Sequence, residues 1–364
     1  MTMKKKLFLM GFVFLLCSCS KSSTQTITTQ GDEVGMEDTE NTSTVWSIPV
    51  SEVLDGGPGR DGIPALENPS MVSAENASVL FDGDLVLGYK NGDDIRAYQH
   101  IVLDWHEIVN DNIGDVSLAI TYCPLTGTGI GWNRVIDDQE TTFGVSGLLY
   151  QTNLIPFDRA TKSNWSQLLN ESVNGSLEGK KADLIQLVET DWRTWKTMYP
   201  TTRIININDT GFSRTYGVYP YVDYRTNDNT FLFPTPKDSR LPLKQRVHAI
   251  VNGDVAKVFQ FSDFDSTPVI KDVFEGKNYA VIGNANFIIS FELEGADRNL
   301  EFDYVFEGSS DILVEDNQGT QWNVFGEAIS GPRQGERLKA SHSFMGYWFS
   351  IPAFYVTEIY ANSN

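Results

Sequence analysis

From about residue 45 onward the chain is a series of short apolar runs separated by turn residues. Leu85–Tyr89, Ala97–Leu103, Val116–Thr121 and Gly144–Tyr150 are rich in β-branched, aliphatic and aromatic residues. Runs of this length, bounded by Gly, Asn and Asp, read as strands. Asn91-Gly92 separates the first two runs and is a strong hairpin signal. Ile204–Ile207, Phe231–Phe233 and much of Val247–Phe306 continue the strand pattern. Two segments predict helices instead. Thr190–Tyr199 begins with a Thr suited to capping and is stopped by Pro200, and Ser163–Asn170 forms a shorter candidate. The fold class expected is mainly β with a few short helices (α+β).

The pattern also repeats. Asn91-Gly92-Asp93 and Asn252-Gly253-Asp254 stand 161 positions apart. At the same offset Arg96 falls on Lys257, Tyr98 on Phe259 and Gln99 on Gln260, and Ile108–Asp111 falls on Val269–Asp272. Farther on, Trp165, Glu171, Gly175, Gly179, Trp192 and Pro200 run parallel to Trp322, Glu327, Gly331, Gly335, Trp348 and Pro352 with small insertions. Periodicity on this scale predicts an internal duplication. Two related lobes are expected, residues 84–205 and 245–360, joined by an aromatic loop at 206–244 and preceded by a turn-rich lead-in segment at 45–83.

The N-terminus differs from all of this. Lys4–Lys6, an apolar run from Leu7 to Leu16, and Leu16-Cys17-Ser18-Cys19 have the layout of a secretory signal ending in a lipobox. The apolar core is roughly 10 residues, against ~20 for a bilayer span. Residues 1–18 are therefore expected to be a cleaved lipoprotein signal peptide, with Cys19 as the lipidated residue. Ser20 after it favours the outer membrane in a cell with two membranes. Residues 19–44 are rich in Ser and Thr and nearly devoid of large apolar side chains, so they read as a disordered tether. The expected location is the bacterial cell envelope, with the membrane as a partner through the lipid anchor.

Net charge narrows the partners. The precursor carries −20, and loss of Lys4–Lys6 takes it to −23. Such a balance argues against nucleic acid and against electrostatic adhesion to anionic lipid. Of the 3 cysteines, Cys17 leaves with the signal and Cys19 takes the lipid. Cys123 then stands alone, so it is either buried and inert or chemically used.

The duplication acts as an internal control on candidate chemistry. Turn glycines and tryptophans recur in both copies. His106, Glu107 and Cys123 fall on Thr267, Pro268 and Asn284 and do not recur. Cys123 ends a predicted strand and is a candidate nucleophilic thiolate or metal ligand. His106 is its candidate base or co-ligand and Glu107 an orienting carboxylate. His100, six residues before His106, shares one face with it on a strand and is a third candidate ligand. Copper or zinc suits a Cys/His set better than magnesium or calcium. Asp158 and Arg159 form a weaker ligand-binding candidate, or a loop-fixing salt bridge. Arg214 and Tyr216, with Tyr219, Tyr221 and Tyr224, make an aromatic surface that packs between lobes or grips a ligand. Asp111, matched by Asp272, suits a turn cap, and His248 and His342 read as surface or structural. No phosphate loop, dinucleotide fingerprint or nucleophile elbow is present.

Several long motifs in order, DGIPALENP, RAYQHIVLDWHEIVND, TYCPLTGTGIGWNR, FGVSGLLYQTNLIPFDRATKSNWSQ and W-x-x-W-x-x-x-x-P, resemble the domain-of-unknown-function family 3179, a group of exported prokaryotic proteins. The resemblance spans roughly residues 60–360 and implies no established activity. It implies Cys-Pro-Leu-Cys where this chain has Cys123-Pro124-Leu125-Thr126, and a methionine near Phe157. A redox pair or a two-thiolate metal site is thereby thinned to one cysteine. Two functions are expected: a Cys/His site for a soft metal or thiol chemistry in the N-terminal lobe, or a non-catalytic ligand-binding or scaffold lipoprotein using the aromatic loop.

Overall fold

The hairpin signal at Asn91-Gly92 folds as one. A computed structural model describes residues 45–77 and 79–361. In it β1 (Leu85–Asn91) returns as β2 (Asp94–Gln99) through a two-residue turn, with Asn91 opposite Asp94. Gly92 holds φ at +58°, a conformation that favours glycine. The chain then forms α1 (His100–His106) and an antiparallel meander of β3 (Ile108–Ile113), β4 (Val116–Cys123) and β5 (Thr128–Asn133). A second antiparallel sheet follows, β6 (Phe143–Tyr150), β7 (Asn153–Asp158), β8 (Asn164–Ser166) and β9 (Glu171–Asn174). β10 (Val188–Asp191) pairs antiparallel with β1, α2 (Trp192–Met198) follows, and β11 (Arg203–Ile205) lies parallel to β2. The lead-in segment adds an edge strand to each of these three sheets.

The same pairing recurs in the second half. β12 (Arg246–Asn252) and β13 (Val255–Gln260) form the hairpin, and β14 (Val269–Phe274), β15 (Lys277–Gly283) and β16 (Ile288–Leu293) form the meander. β17 (Phe302–Tyr304), β18 (Ile312–Asp316), β19 (Gln321–Asn323) and β20 (Ala328–Ser330) make the next sheet. β21 (Ser343–Tyr347) pairs antiparallel with β12, and β22 (Val356–Ile359) lies parallel to β13. Side-chain anchors recur too. Arg96 meets Asp111 at 2.6 Å and Lys257 meets Asp272 at 2.6 Å. The Trp165 indole donates to Asp158 at 3.2 Å and that of Trp322 to Asp316 at 2.9 Å.

The two halves do not pack separately. One core joins Val86, Ala97 and Trp195 of the first half to Ile282, Phe291 and Trp322 of the second. The other joins Ile108, Cys123 and Trp132 to Val247, Val258 and Trp348. Each hairpin sheet thus buries one face on the meander of the other half and the opposite face on the meander of its own, and the described residues form one compact unit. Both cores are built around fully buried tryptophans, which bury more apolar area than any other side chain.

Three local expectations are corrected. Ser163–Asn170 is not a helix but contains β8, because Trp165 is drawn onto buried Asp158 of β7. Phe231–Phe233 is irregular chain, and Ala97–Leu103 changes from strand to helix at His100. The expected helix at 190–199 is present as α2, capped by Asp191, whose side chain accepts from Thr194 N at 2.9 Å. The signal peptide, Cys19 and the tether lie outside the described residues. Among the described residues no helix is long and apolar enough to cross a membrane.

Candidate functional site

α1 is a short helix whose Ile101, Val102 and Leu103 are buried, and it stops at Glu107. Glu107 has φ +57° and ψ −32°, a left-handed conformation that costs a non-glycine residue about 1 kcal/mol or more. That reversal sends the chain directly into β3. It also lets the Glu107 carbonyl accept from Tyr122 N at 2.7 Å, which ties the helix end to the last residues of β4. Glu107 therefore lies beside Cys123. Burial pushes its carboxyl up to about 8, and its side chain bonds to Tyr221.

Cys123 is 1% exposed, and its Sγ faces Thr152 O at 3.7 Å. Burial and the neighbouring Glu107 push the thiol up to about 11. The Thr126 side chain also touches this sulfur. Thr126 Oγ1 belongs to a buried network with Thr128 at 2.8 Å and Asn153 at 2.9 Å.

His106 looks elsewhere. Its Nδ1 donates to Pro64 O at 2.7 Å, so its Nε2 accepts from Tyr216 OH at 2.7 Å. Burial holds its pKa below the ordinary value. Both ring nitrogens are engaged, neither with Cys123. His100, at the other end of α1, is not on the same face, since six residues on a helix turn by about 240°. The shared strand face expected for the pair is thus lost. Its Nε2 stands 3.5 Å from Glu189 Oε2, its ring 4.5 Å from that of Tyr122. Burial holds it neutral, well below the usual histidine range. Among the described residues no three His, Cys, Asp or Glu side chains are grouped to hold a metal ion.

The loop at 206–244 covers this region. Tyr219 OH donates to Pro124 O at 3.0 Å, and Trp105 Nε1 donates to Val218 O at 3.1 Å. Arg225 lies 3.5 Å over the Tyr219 ring and donates to Asp104 Oδ2 at 2.6 Å. Beneath it Asp104 Oδ1, Tyr224 OH and Arg225 Nε are buried without a hydrogen-bond partner, and His100 Nε2 and Glu189 Oε2 have only each other, at 3.5 Å. Their groups interact electrostatically with one another through Tyr122, Tyr219 and Tyr347. Burial lifts Asp104 to about 6 against the pull of Arg225. Glu189 of β10 pairs with Arg246 of β12, so the cluster spans both halves.

The remaining candidates are placed apart from this cluster. Asp158 anchors a turn, accepting from Thr161 N and Thr161 Oγ1 at 2.7 Å each. Arg159 pairs with Asp61 at 2.7 Å and Glu67 at 2.9 Å. Arg214 is exposed, 5.9 Å over the Trp105 ring. Asp111, expected as a turn cap, binds Arg96 and accepts from Tyr98 OH at 2.7 Å. His248 is buried rather than on the surface, and His342 is half-buried.

Over residues 60–358 the chain matches the family described as "Protein of unknown function (DUF3179)". It belongs to that family. No curated protein and no solved structure matches it. In this DUF3179 member the side chain at 126, the position of the second cysteine implied by the family resemblance, is the one that touches Cys123. Asp104, Glu189, Arg225 and Arg246 were not singled out from the sequence. The repeat held one usable signal, since Arg246 falls on Leu85 at the common offset.

Proposed function

We propose that this is a lipid-anchored envelope protein with a ligand-binding rather than a catalytic role. Its site is the buried polar cluster beneath the 206–244 loop. The observation that carries the reading is the group of buried polar atoms without a hydrogen bond, Asp104 Oδ1, Tyr224 OH and Arg225 Nε, beside the loosely spaced His100–Glu189 pair, because each such atom costs about 1–3 kcal/mol unless something satisfies it. Asp104 and Glu189, acids lifted by burial beside Arg225 and Arg246, are a further mark of a functional site. Asp104 with Arg225 and Glu189 with Arg246 balance in charge. A neutral or zwitterionic ligand therefore suits the cluster better than an ion. Cys123 serves as a buried wall, since a thiol at about 11 is almost wholly protonated at neutral pH.

Thiol labelling of the native protein tests this. Cys123 is expected to stay unlabelled by iodoacetamide until the chain is unfolded. Arg225→Ala, which frees the loop from Asp104, is expected to raise the native labelling rate at least tenfold. Rapid labelling of the unmodified protein would favour thiol chemistry instead. Anchoring is tested separately, with Cys19→Ser expected to move the protein from the membrane to the soluble fraction.

A further inference from the structure

The recurrent pairing allows the two halves to be compared at a second place, which meets the cluster under the loop only at Glu189. Leu87 of β1 packs on Gly129 of β5, where a Cβ would stand 2.5 Å from Leu87 Cδ1. The positions 161 residues later, on β12 and β16, are His248 and Ser290. There the contact is a hydrogen bond, 2.8 Å between His248 Nε2 and Ser290 Oγ. Hydroxyls continue the chain through Ser341 to Ser343, the last step 2.9 Å. His248 is 3% exposed and its Nδ1 has no protein partner. The first half shows that Leu on Gly satisfies the fold at this point. An imidazole buried with one nitrogen unpaired costs about 1–3 kcal/mol that the architecture does not ask for.

Both pairs line one cavity of about 340 Å³, at the lower end of the range for ligand clefts. The first half contributes Leu87, Ile130, Ile185 and Leu187, an aliphatic stretch flanked by Gln186 and Glu189. The second contributes His248, Ser290, Ser341 and His342, a polar wall. Protonation on the polar side is fixed by neighbours. Trp132 Nε1 donates to Asn170 Oδ1 at 2.8 Å, so the Asn170 amide donates to His342 Nε2 at 2.9 Å, leaving the His342 proton on Nδ1. Burial pushes His248 down to about 3 and His342 to about 4, which keeps both uncharged at neutral pH. Charges at the rim are compensated, with Lys277 3.3 Å from Glu292, Lys339 2.6 Å from Glu294 and Glu189 paired with Arg246.

We infer that this cavity is a second binding site, for a small uncharged aliphatic molecule with one hydrogen-bonding head. A primary amide or alcohol would set its head against His248 and Ser290 and its chain along Leu87, Ile130 and Leu187. A charged head would meet no uncompensated partner and would lose its hydration.

The test is a titration of the mature protein with pentanamide, followed by the methyl resonances of Leu87 and Ile130. The comparison is the double variant H248L/S290G, which installs the first half's own Leu–Gly pair. Saturable shifts are expected in the unaltered protein, with binding at least tenfold weaker in the double variant and for pentanoate. Should H248L/S290G fail to fold, Ser290→Ala removes the hydroxyl alone and is expected to weaken binding at least threefold. Absence of saturable shifts, or equal binding by the folded variant, would overturn the site. Equal binding of pentanoate would overturn its preference for an uncharged head.

Discussion

Position 126 is where one side chain decides what Cys123 can do. The Thr126 hydroxyl touches the cysteine sulfur, accepts from Asn153 and partners Thr128. Thr126→Cys would place a second thiol against the first, as the family resemblance implies. The variant is expected to form a disulfide between Cys123 and the introduced thiol under mild oxidation, read by thiol titration in denaturant falling from two to none. Loss of the hydroxyl's hydrogen bonds is expected to cost about 1–3 kcal/mol in urea unfolding. Cys123 and Glu107 were legible in the sequence because they do not recur in the second copy. The pairing of Cys123 with His106 expected from the sequence does not form. It depended on which way α1 turned, and Glu107's positive φ, which no spacing rule anticipates, sends His106 toward Pro64 and Tyr216.

Among the elements, those set by local chemistry were readable and those set by distant partners were not. The Asn-Gly turns and Asp191 ahead of α2 act within a few residues. β8 instead depends on Trp165 reaching Asp158, and the irregular chain at 231–233 rests on Lys244 passing over the Phe231 ring. The recurring order of strands was suggested by the matches at the 161-residue offset, but not the way each hairpin sheet packs one face on the other half. Val86 and Ala97 of the first hairpin are covered by Phe291 and Trp322, far along the chain. Each half expressed alone, residues 60–205 or 245–361, is therefore expected to lack a cooperative thermal transition. The two produced together are expected to form a stable complex, detectable by co-purification. A sharp transition in either isolated half would show that this packing on the other half is dispensable.

Across the whole molecule the buried titratable groups pull stability in opposite directions with pH. All 4 histidines have pKa values lowered by burial, His248 to about 3 and His342 to about 4. Unfolded, they titrate near about 6.5, so their contribution is complete above that pH and is lost as pH falls below it. Glu107 and Asp104 act in the reverse sense. Their folded values, about 8 and about 6, lie above the ordinary 4.5 and 3.8, so the stability they confer as neutral acids is complete at low pH and drains away as pH rises through the folded values. Between about 4.5 and about 6.5 the unfolded chain gains more histidine protons than it loses from these two acids, and stability should rise with pH. Above that window only the acids still differ, and one proton corresponds to about 1.4 kcal/mol lost per pH unit until Glu107 ionises in the folded state. Maximum stability is thus expected near about pH 6.5. Glu107→Gln keeps the shape and the bond to Tyr221 without the proton, and should flatten the decline between pH 7 and pH 8 and steepen the rise between about pH 4.5 and about pH 6.5, where the neutral acid otherwise opposes the histidines. Urea unfolding across this range for both proteins measures it, and an equal decline in the variant would mean that Glu107 is already ionised beneath the loop.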